Sequence, residues 1–277
     1  MRIAKRIALG VGAFVLVVMA YRVFGVYQFR EGECNPRQPA TFNRTYPEKL
    51  LIMSFNIEGH ASLLNPLHIE RVADTILKYD PDIVAINEAH RRTWQARFGD
   101  HVGELAKRTG MNIVFGRSFR FAGGDFGNAV LTKGTIISSD VHKLPGRGEP
   151  RTLLETLVQL NGGTIEFYVT HTAAWAGLGR GPRTRQLDCI ARHVGASAHP
   201  FILAGDLNAG PDSPEIERFL ADGILRLTGD PQETTHRILR QKLDYVLTDG
   251  GWRIVRAVVL DDGPSDHRPI LVELAHP

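Results

Sequence analysis

The sequence predicts an α/β fold in which two mixed β-sheets pack face to face with helices outside. Three observations carry this reading. In the first half of the chain, apolar strand-like runs alternate with amphipathic helix-like segments, the pattern of βαβ units. Further on, several β-rich segments follow one another closely, as hairpins do. Two sheets, rather than one, account for the number of strands. The chain has 277 residues, 43% hydrophobic and 23% charged, an ordinary globular balance that can bury a sizeable core in one large domain.

The N-terminus comes first. Arg2, Lys5 and Arg6 precede an apolar run from Ile7 to Ala20, the form of a secretory signal. Residues 1–29 are read as a signal peptide or signal anchor. Cleavage after Val18-Met19-Ala20 would release the remainder. Continuation of the run to about Val26 would instead span a bilayer, which needs about 20 apolar residues, with Arg22 snorkelling to the far interface. The uncleaved anchor is the preferred reading, and the cations ahead of the run place the domain outside the cytoplasm in either case. Residues 30–49 are polar, contain Pro36, Pro39 and Pro47, and read as a linker to a domain over residues 50–277.

Leu50 to Ile57 reads as a buried strand. Asn65-Pro66 starts a helix as N-cap and first-turn proline, and Ile69, Val72, Ala73, Ile76 and Leu77 share one face of it. Pro81 ends it. Asp82 to Glu88 is the second strand, a helix covers about 93–108, and a short strand covers 111–116. Strand segments follow near 127–133, 135–142, 151–160 and 164–171. A helix from about Pro182 buries Leu187, Ile190, Ala191 and Val194. Strands near 201–206, 243–248, 252–260 and 269–274 complete the domain.

Charge narrows the function classes. Of the 33 Lys and Arg and 30 Asp and Glu, six cations and two anions lie in the first forty residues, leaving 27 cations against 28 anions. The basic balance belongs to the leader, and the near-neutral domain gives no global argument for strong nucleic-acid binding. Of the two cysteines, Cys34 is in a polar stretch and Cys189 in an amphipathic helix. A disulfide between them fits an extracytoplasmic location, but a buried apolar role for Cys189 is the preferred reading.

Polar residues stand where apolar strands end. Asn56 follows Leu-Ile-Met-Ser-Phe, Glu88 follows Ile-Val-Ala-Ile-Asn, and His171 follows Phe-Tyr-Val-Thr. Asp206 and Asn208 close Phe-Ile-Leu-Ala-Gly, Asp244 follows Gln-Lys-Leu, and Asp266-His267 precedes Pro-Ile-Leu-Val. Singly, each has a plainer explanation as a cap, turn or solvated strand end. Gathered by strand ends, they make a polar cleft whose charge is costly to bury without a metal or partner. Phosphate chemistry needs this inventory: oxygen ligands for a hard cation, a base for water, and donors for phosphoryl oxygens.

The segments Ser-Phe-Asn56-Ile, Asn-Glu88, Gly-Asn128-Ala-Val-Leu, Thr-His171-Thr, Gly-Asp206-Leu-Asn208, Leu-Asp244-Tyr-Val and Ser-Asp266-His267-Arg-Pro-Ile resemble, in order, the motifs of the endonuclease/exonuclease/phosphatase superfamily. The resemblance spans about residues 50–275 and implies a four-layered α/β sandwich and a metal-dependent phosphoesterase. It implies that Glu88 ligates Mg²⁺ or Mn²⁺, with Asn56 and Asp266 helping directly or through water. Asp206 would orient or deprotonate the attacking water, and Asn208 and His171 would contact the phosphate. Asp244 would fix the ring of His267, which stabilises developing charge, and Asn128 would support the site. One departure is Asn87, where the family commonly has Gln.

Weaker candidates border these. Arg180, Arg183 and Arg185 with Trp175 could touch a phosphorylated or lipid substrate, with a solvated surface loop as the equal alternative, and the aromatic and basic loop Phe119 to Phe126 could border the cleft. Arg151 could approach the phosphate, although a surface strand position is its plainer reading. His236, Arg237, Arg240 and Lys242 form a basic patch that could attract an anionic head group, although a solvated face is its plainer reading. The expected activity is an extracytoplasmic phosphodiesterase acting on a phosphoester such as a lipid head group, brought to the membrane by its N-terminal segment. A secreted or periplasmic nuclease uses the same site but is not favoured, since duplex binding needs many phosphate contacts. A non-catalytic binding module is the third reading, which loss of Glu88, Asp206 or His267 would have favoured.

Overall fold

A computed structural model describes residues 34–36, 45–146, 148–174 and 180–276. The signal segment 1–29, most of the linker and Trp175 lie outside the described residues. In chain order the strands are β1 (Lys49–Asn56), β2 (Ile83–Arg91), β3 (Asn112–Phe121), β4 (Gly124–Thr132), β5 (Thr135–Lys143), β6 (Thr152–Leu160), β7 (Gly163–His171), β8 (Phe201–Asp206), β9 (Arg226–Leu227), β10 (Asp244–Thr248), β11 (Arg253–Val259) and β12 (Ile270–Ala275). The helices are α1 (His68–Tyr79), α2 (His101–Thr109), α3 (Arg180–Gly195) and α4 (Pro214–Leu220), with a 3-10 turn at Gly59–Leu63.

Two six-stranded sheets result, ordered β11-β12-β1-β2-β4-β3 and β5-β6-β7-β8-β10-β9. Each holds one parallel pair, β1 with β2 and β7 with β8, among antiparallel neighbours. Alternation along the strands splits the apolar residues into three layers of core. Leu50, Ile52, Leu154, Phe167, Ile202 and Val272 interdigitate between the sheets. Met53, Phe55, Val84 and Leu131 face outward and are covered by Ile69, Val72 and Ile76 of α1 and Leu105 of α2. Tyr168, Leu203 and Tyr245 are covered by Leu187 and Ile190 of α3 and Ile216 and Phe219 of α4. The order helix, sheet, sheet, helix is the expected four-layered α/β sandwich.

Several element readings are corrected. The helix expected over 93–108 begins only at His101, because Arg97 and Phe98 take left-handed backbone angles (φ 52° and 62°) that a helix cannot contain. Asp100 caps the real start, accepting from Gly103 N at 3.0 Å. The first helix starts at His68, two residues past Pro66, and Leu77 is 49% exposed rather than core. The helix α4 was not foreseen; Pro214 follows Ser213 as its first residue. Part of the stretch read as linker is in the fold: Lys49 belongs to β1, and Tyr46 packs edge-on against Trp252 and stacks on His276. Cys189, fully buried as expected, is disulfide-bonded to Cys34, which ties the N-terminal side of the domain to α3.

Candidate active site

The topology delivers the polar residues to one edge of the sandwich. β1 and β2 run parallel, so Asn56 and the Asn87–Glu88 pair emerge side by side from the first sheet. β7 and β8 run parallel in the second sheet, with His171 opposite Asp206. β10 returns antiparallel and begins at that level, Asp244 opposite Asp206. β12 is antiparallel to β1, pairing Ile270 with Ser54, so the preceding Asp266 and His267 reach the same edge. Two left-handed residues aim side chains there: Glu88 (φ 60°), at the bulge between β2 and β4, and Asn208 (φ 49°) just past β8.

Asp206 is the hub. Its Oδ2 accepts from Asn56 Nδ2 at 3.1 Å and lies 3.5 Å from His171 Nε2 and 3.8 Å from His267 Nε2. Its Oδ1 accepts from Asn208 N at 2.8 Å. Asp244 Oδ2 is 2.7 Å from His267 Nδ1, which fixes the ring and leaves Nε2 facing Asp206 and the cleft. Asn56 Nδ2 also donates to Glu88 Oε1 at 3.2 Å. Asn128 does not enter this cluster directly; its Oδ1 accepts from Asn87 Nδ2 at 2.9 Å.

Burial sets the charges. Burial and the neighbouring Asp244 push the Asp206 carboxyl up to about 7. Burial acts against the imidazolium of His267, but Asp244 outweighs it and the ring is raised to about 10. Burial, with Arg151 nearby, keeps His171 well below its ordinary value and therefore neutral. Burial also opposes ionisation of Glu88, yet His60, 3.7 Å from Oε2, and the Asn56 donor hold its carboxyl below the usual range. The site thus joins a carboxylate titrating near neutrality to a charged imidazolium donor, the pairing that general acid–base chemistry requires.

The comparison with known families settles the lineage. The model of the endonuclease/exonuclease/phosphatase family matches residues 53–267. The chain belongs to this family. Members of the endonuclease/exonuclease/phosphatase family hydrolyse phosphoesters and typically depend on a divalent metal. A UPF0294 protein of Yersinia pseudotuberculosis is 28% identical over 125 residues, 44% of this chain and 48% of that protein. The inositol phosphosphingolipids phospholipase C of Schizosaccharomyces pombe is 26% identical over 212 residues, 68% of this chain and 48% of that protein. The chain therefore spans about half the length of these curated relatives. The solved endonuclease/exonuclease/phosphatase of Beutenbergia cavernae shares the fold, with a TM-score of 0.71, 22% identity, and coverage of 83% of this chain and 72% of that one.

The donor chemistry fits the family's divalent ion. Glu88 and Asp266 have partly exposed carboxylates at the cleft, and Glu58 joins them, accepting from Asp266 N at 3.0 Å. An oxygen-rich set suits a hard cation such as Mg²⁺. Two tighter groups, Asp206/Asp244/His267 and His236/Asp266/His267, keep their ligand atoms within 4.8 Å, but both include His267, already hydrogen-bonded to Asp244. Asn56 turns Nδ2 to the carboxylates and Oδ1 to Glu58 N, so as placed it orients Glu88 and Asp206.

The structure adds residues that the sequence left without a role in this endonuclease/exonuclease/phosphatase site. Asn87, the departure from the family's Gln, bridges the sheets: Nδ2 donates to Asn128 Oδ1 and Thr170 O, both at 2.9 Å, and Oδ1 accepts from Asp206 N at 3.0 Å. Its place beside Glu88 on a buried strand was the available signal. Glu58 and His60 gave none beyond following Asn56. His236 is not a solvated face: its ring sits 4.6 Å from that of His267. Nor do its neighbours form a free basic patch. Arg237 Nη1 donates to Asp261 at 2.6 Å, and Lys242 is buried, with Nζ on Asp230 O.

Arg151 is corrected from the surface to the cleft. It is 6% exposed; one nitrogen pairs with Glu149 at 3.0 Å, while Nε and Nη1 are buried without a partner. Arg183 moves the other way: it is held by Glu215 at 2.6 Å and Ala173 O at 3.1 Å, a structural tie between α3 and α4. The cleft measures about 830 Å³, and Trp94, Phe119, Phe121, Phe126, Leu63 and Leu239 form its apolar wall.

Proposed function

We propose that this protein is a divalent-metal-dependent phosphodiesterase that works outside the cytoplasm on an amphiphilic phosphoester, a phospholipid or lipid-linked head group. The observation that carries the reading is the cleft itself: an acid–base floor of Asp206 and His267 beside an aromatic and aliphatic wall. A phosphodiester with an apolar substituent matches both surfaces at once. The name of the Schizosaccharomyces relative, a phospholipase C, agrees with it. The Cys34–Cys189 disulfide supports an oxidising compartment. Among the described residues no helix is long and apolar enough to cross a membrane, so attachment rests on the apolar run within residues 1–29.

In this mechanism Glu88 and Asp266 would hold the Mg²⁺ or Mn²⁺, and Asn56 orients Glu88 and Asp206 beside it. The ion supplies charge neutralisation to the phosphoryl oxygens when bound. Asp206 Oδ2 receives the proton of the attacking water. His267 Nε2 donates to a phosphoryl oxygen as charge builds there, and Asp244 keeps the ring charged and oriented. Neutral His171 and the Asn208 amide position the phosphoryl group. The unpartnered N–H groups of Arg151 add a planar anion contact at the cleft wall. Asn128, through Asn87, keeps the two sheets in register beneath these groups.

The aromatic wall also suits stacked bases, which keeps a nuclease acting on single strands as the second reading. The test is hydrolysis by the purified full-length chain with Mg²⁺ or Mn²⁺. Substrates are sphingomyelin and glycerophospholipid in mixed micelles, bis-p-nitrophenyl phosphate, and single- and double-stranded DNA. Metal-dependent turnover that favours lipid and disappears in Asp206→Asn and His267→Ala is expected. Preference for DNA would overturn the lipid reading in favour of a nuclease. A folded protein that turns over nothing would overturn the enzyme reading in favour of a binding module.

A further inference from the structure

Three strands of the first sheet do not stop at the catalytic edge. β1 ends at Asn56, opposite Asn87, but β2 continues past Glu88 to Arg91, which pairs with Asp125 of β4. β3 and β4 run on together to the pair Phe121–Gly124. The three strands form a lip over the cleft, and the turn 92–99 closes its tip. Trp94 N donates to Ala122 O at 3.0 Å, and Arg92 N to Gly99 O at 2.7 Å. The inner face of the lip is the aromatic wall of Phe119, Phe121 and Phe126. Its outer end carries a groove of about 600 Å³ lined by Arg91, Arg92 and Arg120, and Phe121 borders both groove and cleft.

The tip is both apolar and cationic. Trp94 is 55% and Phe98 65% exposed, and Arg92, Arg97 and Phe98 all hold left-handed backbone angles (φ 58°, 52° and 62°), a strain that the fold keeps where side chains are presented outward. Arg91 is paired with Asp100 at 2.9 Å and Arg117 with Asp125 at 3.4 Å. Arg92, Arg97 and Arg120 have no acidic partner among the described residues. The domain as a whole is near neutral, so this excess of positive charge is local. Across the mouth, Leu64 and Ile238 stand exposed beside the cleft-lining Leu63 and Leu239. Aromatic tips among uncompensated cations suit a lipid interface, with rings at the acyl boundary and guanidinium groups on head-group phosphates. Three free arginines are too few for a duplex, whose binding needs many phosphate contacts.

We propose that the lip of β2, β3 and β4 seats the cleft on an anionic lipid surface, Trp94 and Phe98 entering the acyl boundary while Arg92, Arg97 and Arg120 hold phosphate head groups. The proposal rests on the lipid reading of the cleft and adds what selects the surface. Each arginine close to an anionic leaflet is worth roughly fivefold in surface affinity. The aromatic face of the lip then continues the apolar phase into the cleft. An amphiphile drawn toward Asp206 and His267 keeps its chains against Phe119, Phe121 and Phe126 instead of crossing water.

The test places the full-length chain in neutral detergent micelles with chelator, so that no lipid is turned over. Phosphatidylglycerol or phosphatidylcholine brominated on the acyl chains is added, and tryptophan emission is followed as the lipid fraction rises. The contribution of Trp94 is the difference between wild type and Trp94→Phe. Phosphatidylglycerol should quench it strongly and phosphatidylcholine weakly. Arg92→Gln combined with Arg120→Gln should need at least about tenfold more phosphatidylglycerol for half quenching. Added salt should weaken the wild type in the same direction. The double variant should hydrolyse bis-p-nitrophenyl phosphate in Mg²⁺ at the wild-type rate. Trp94 that neither lipid quenches would overturn the proposal. So would equal quenching by the two lipids, or in wild type and double variant. Single-stranded DNA that shifts Trp94 emission at lower concentration than lipid, through the same arginines, would give the lip to a nucleic acid and equally overturn it. Quenching lost with lipid turnover intact overturns the lip alone. Quenching intact with no lipid hydrolysed supports the lip and counts against the lipid substrate.

Discussion

Burial raises the proton affinity of a carboxylate and lowers that of an imidazole, and at the cleft edge single residues decide where this rule is reversed. Asp206 follows it, and a second carboxylate, Asp244, adds to the effect. His267 departs from it, because Asp244 lies 2.7 Å from Nδ1 and holds the ring charged. Asp244→Asn should therefore lower kcat by roughly 10²- to 10⁴-fold with a small change in KM, read by steady-state kinetics. An unchanged kcat would remove His267 from the chemistry. Arg151 belongs to the same scale. Its buried, unpartnered Nε and Nη1 make no stabilising bond in the free protein, so an anion is their natural partner. Arg151→Ala should raise KM for the phosphoester by roughly 10- to 100-fold, the worth of a charged hydrogen bond. Arg151→Lys should not restore it, since an ammonium cannot reproduce the planar fork. The acid–base residues were legible because each sits in a short local motif at a strand end. Arg151, Glu58, His60 and His236 were not, because what each touches is set by segments distant in the chain.

Strands and turns fix how closely the two sheets can converge on that edge. Gly205 pairs with Thr170 and takes φ 135°; a Cβ built there would stand 2.0 Å from the Thr170 carbonyl oxygen and 3.2 Å from Asn87 Oδ1. Only glycine lets β7 and β8 approach while Asp206 N donates to Asn87 Oδ1. Gly205→Ala should cost at least about 2 kcal/mol in denaturant unfolding and depress activity with it. A variant of wild-type stability would show that the backbone relaxes freely at this point. Strand identity was readable at this scale because buried strands are continuous apolar runs, as in Phe201 to Ala204. Helix boundaries were less so. The stretch 93–100 carries helix-compatible residues, yet Arg97 and Phe98 turn left-handed as the chain folds back to pair Arg91 with Asp100. That reversal is a tertiary contact, absent from local propensity.

The molecule as a whole is three apolar layers closed by two sets of helices, and its stability depends on what seals those layers. On one side the seal is covalent. The Cys34–Cys189 bond closes a loop across 155 positions of sequence, and constraining so long a segment of the unfolded chain is worth about 2–5 kcal/mol. Cys34→Ser should lower the unfolding free energy by that amount without changing the cleft chemistry. Equal stability of variant and wild type in oxidising buffer would mean that the bond constrains nothing the folded sandwich does not already hold. On the other side the seal is an uncharged histidine. His101, at the start of α2 against the outer core, is pushed down to about 3 by burial and by His90, and its Nε2 has no partner. In the unfolded chain the same ring titrates near 6.5. The folded state therefore refuses a proton that the unfolded state accepts between those values. Its contribution is intact above about pH 6.5 and is lost as pH falls toward 3, by at most about 1.4 kcal/mol per pH unit. His101→Asn keeps a polar helix start and removes the titration. The slope of unfolding free energy against pH between 6 and 4, measured by urea denaturation, should be shallower in the variant by up to one proton. Parallel slopes would move the acid sensitivity of the fold to other groups and leave His101 as a packing residue alone.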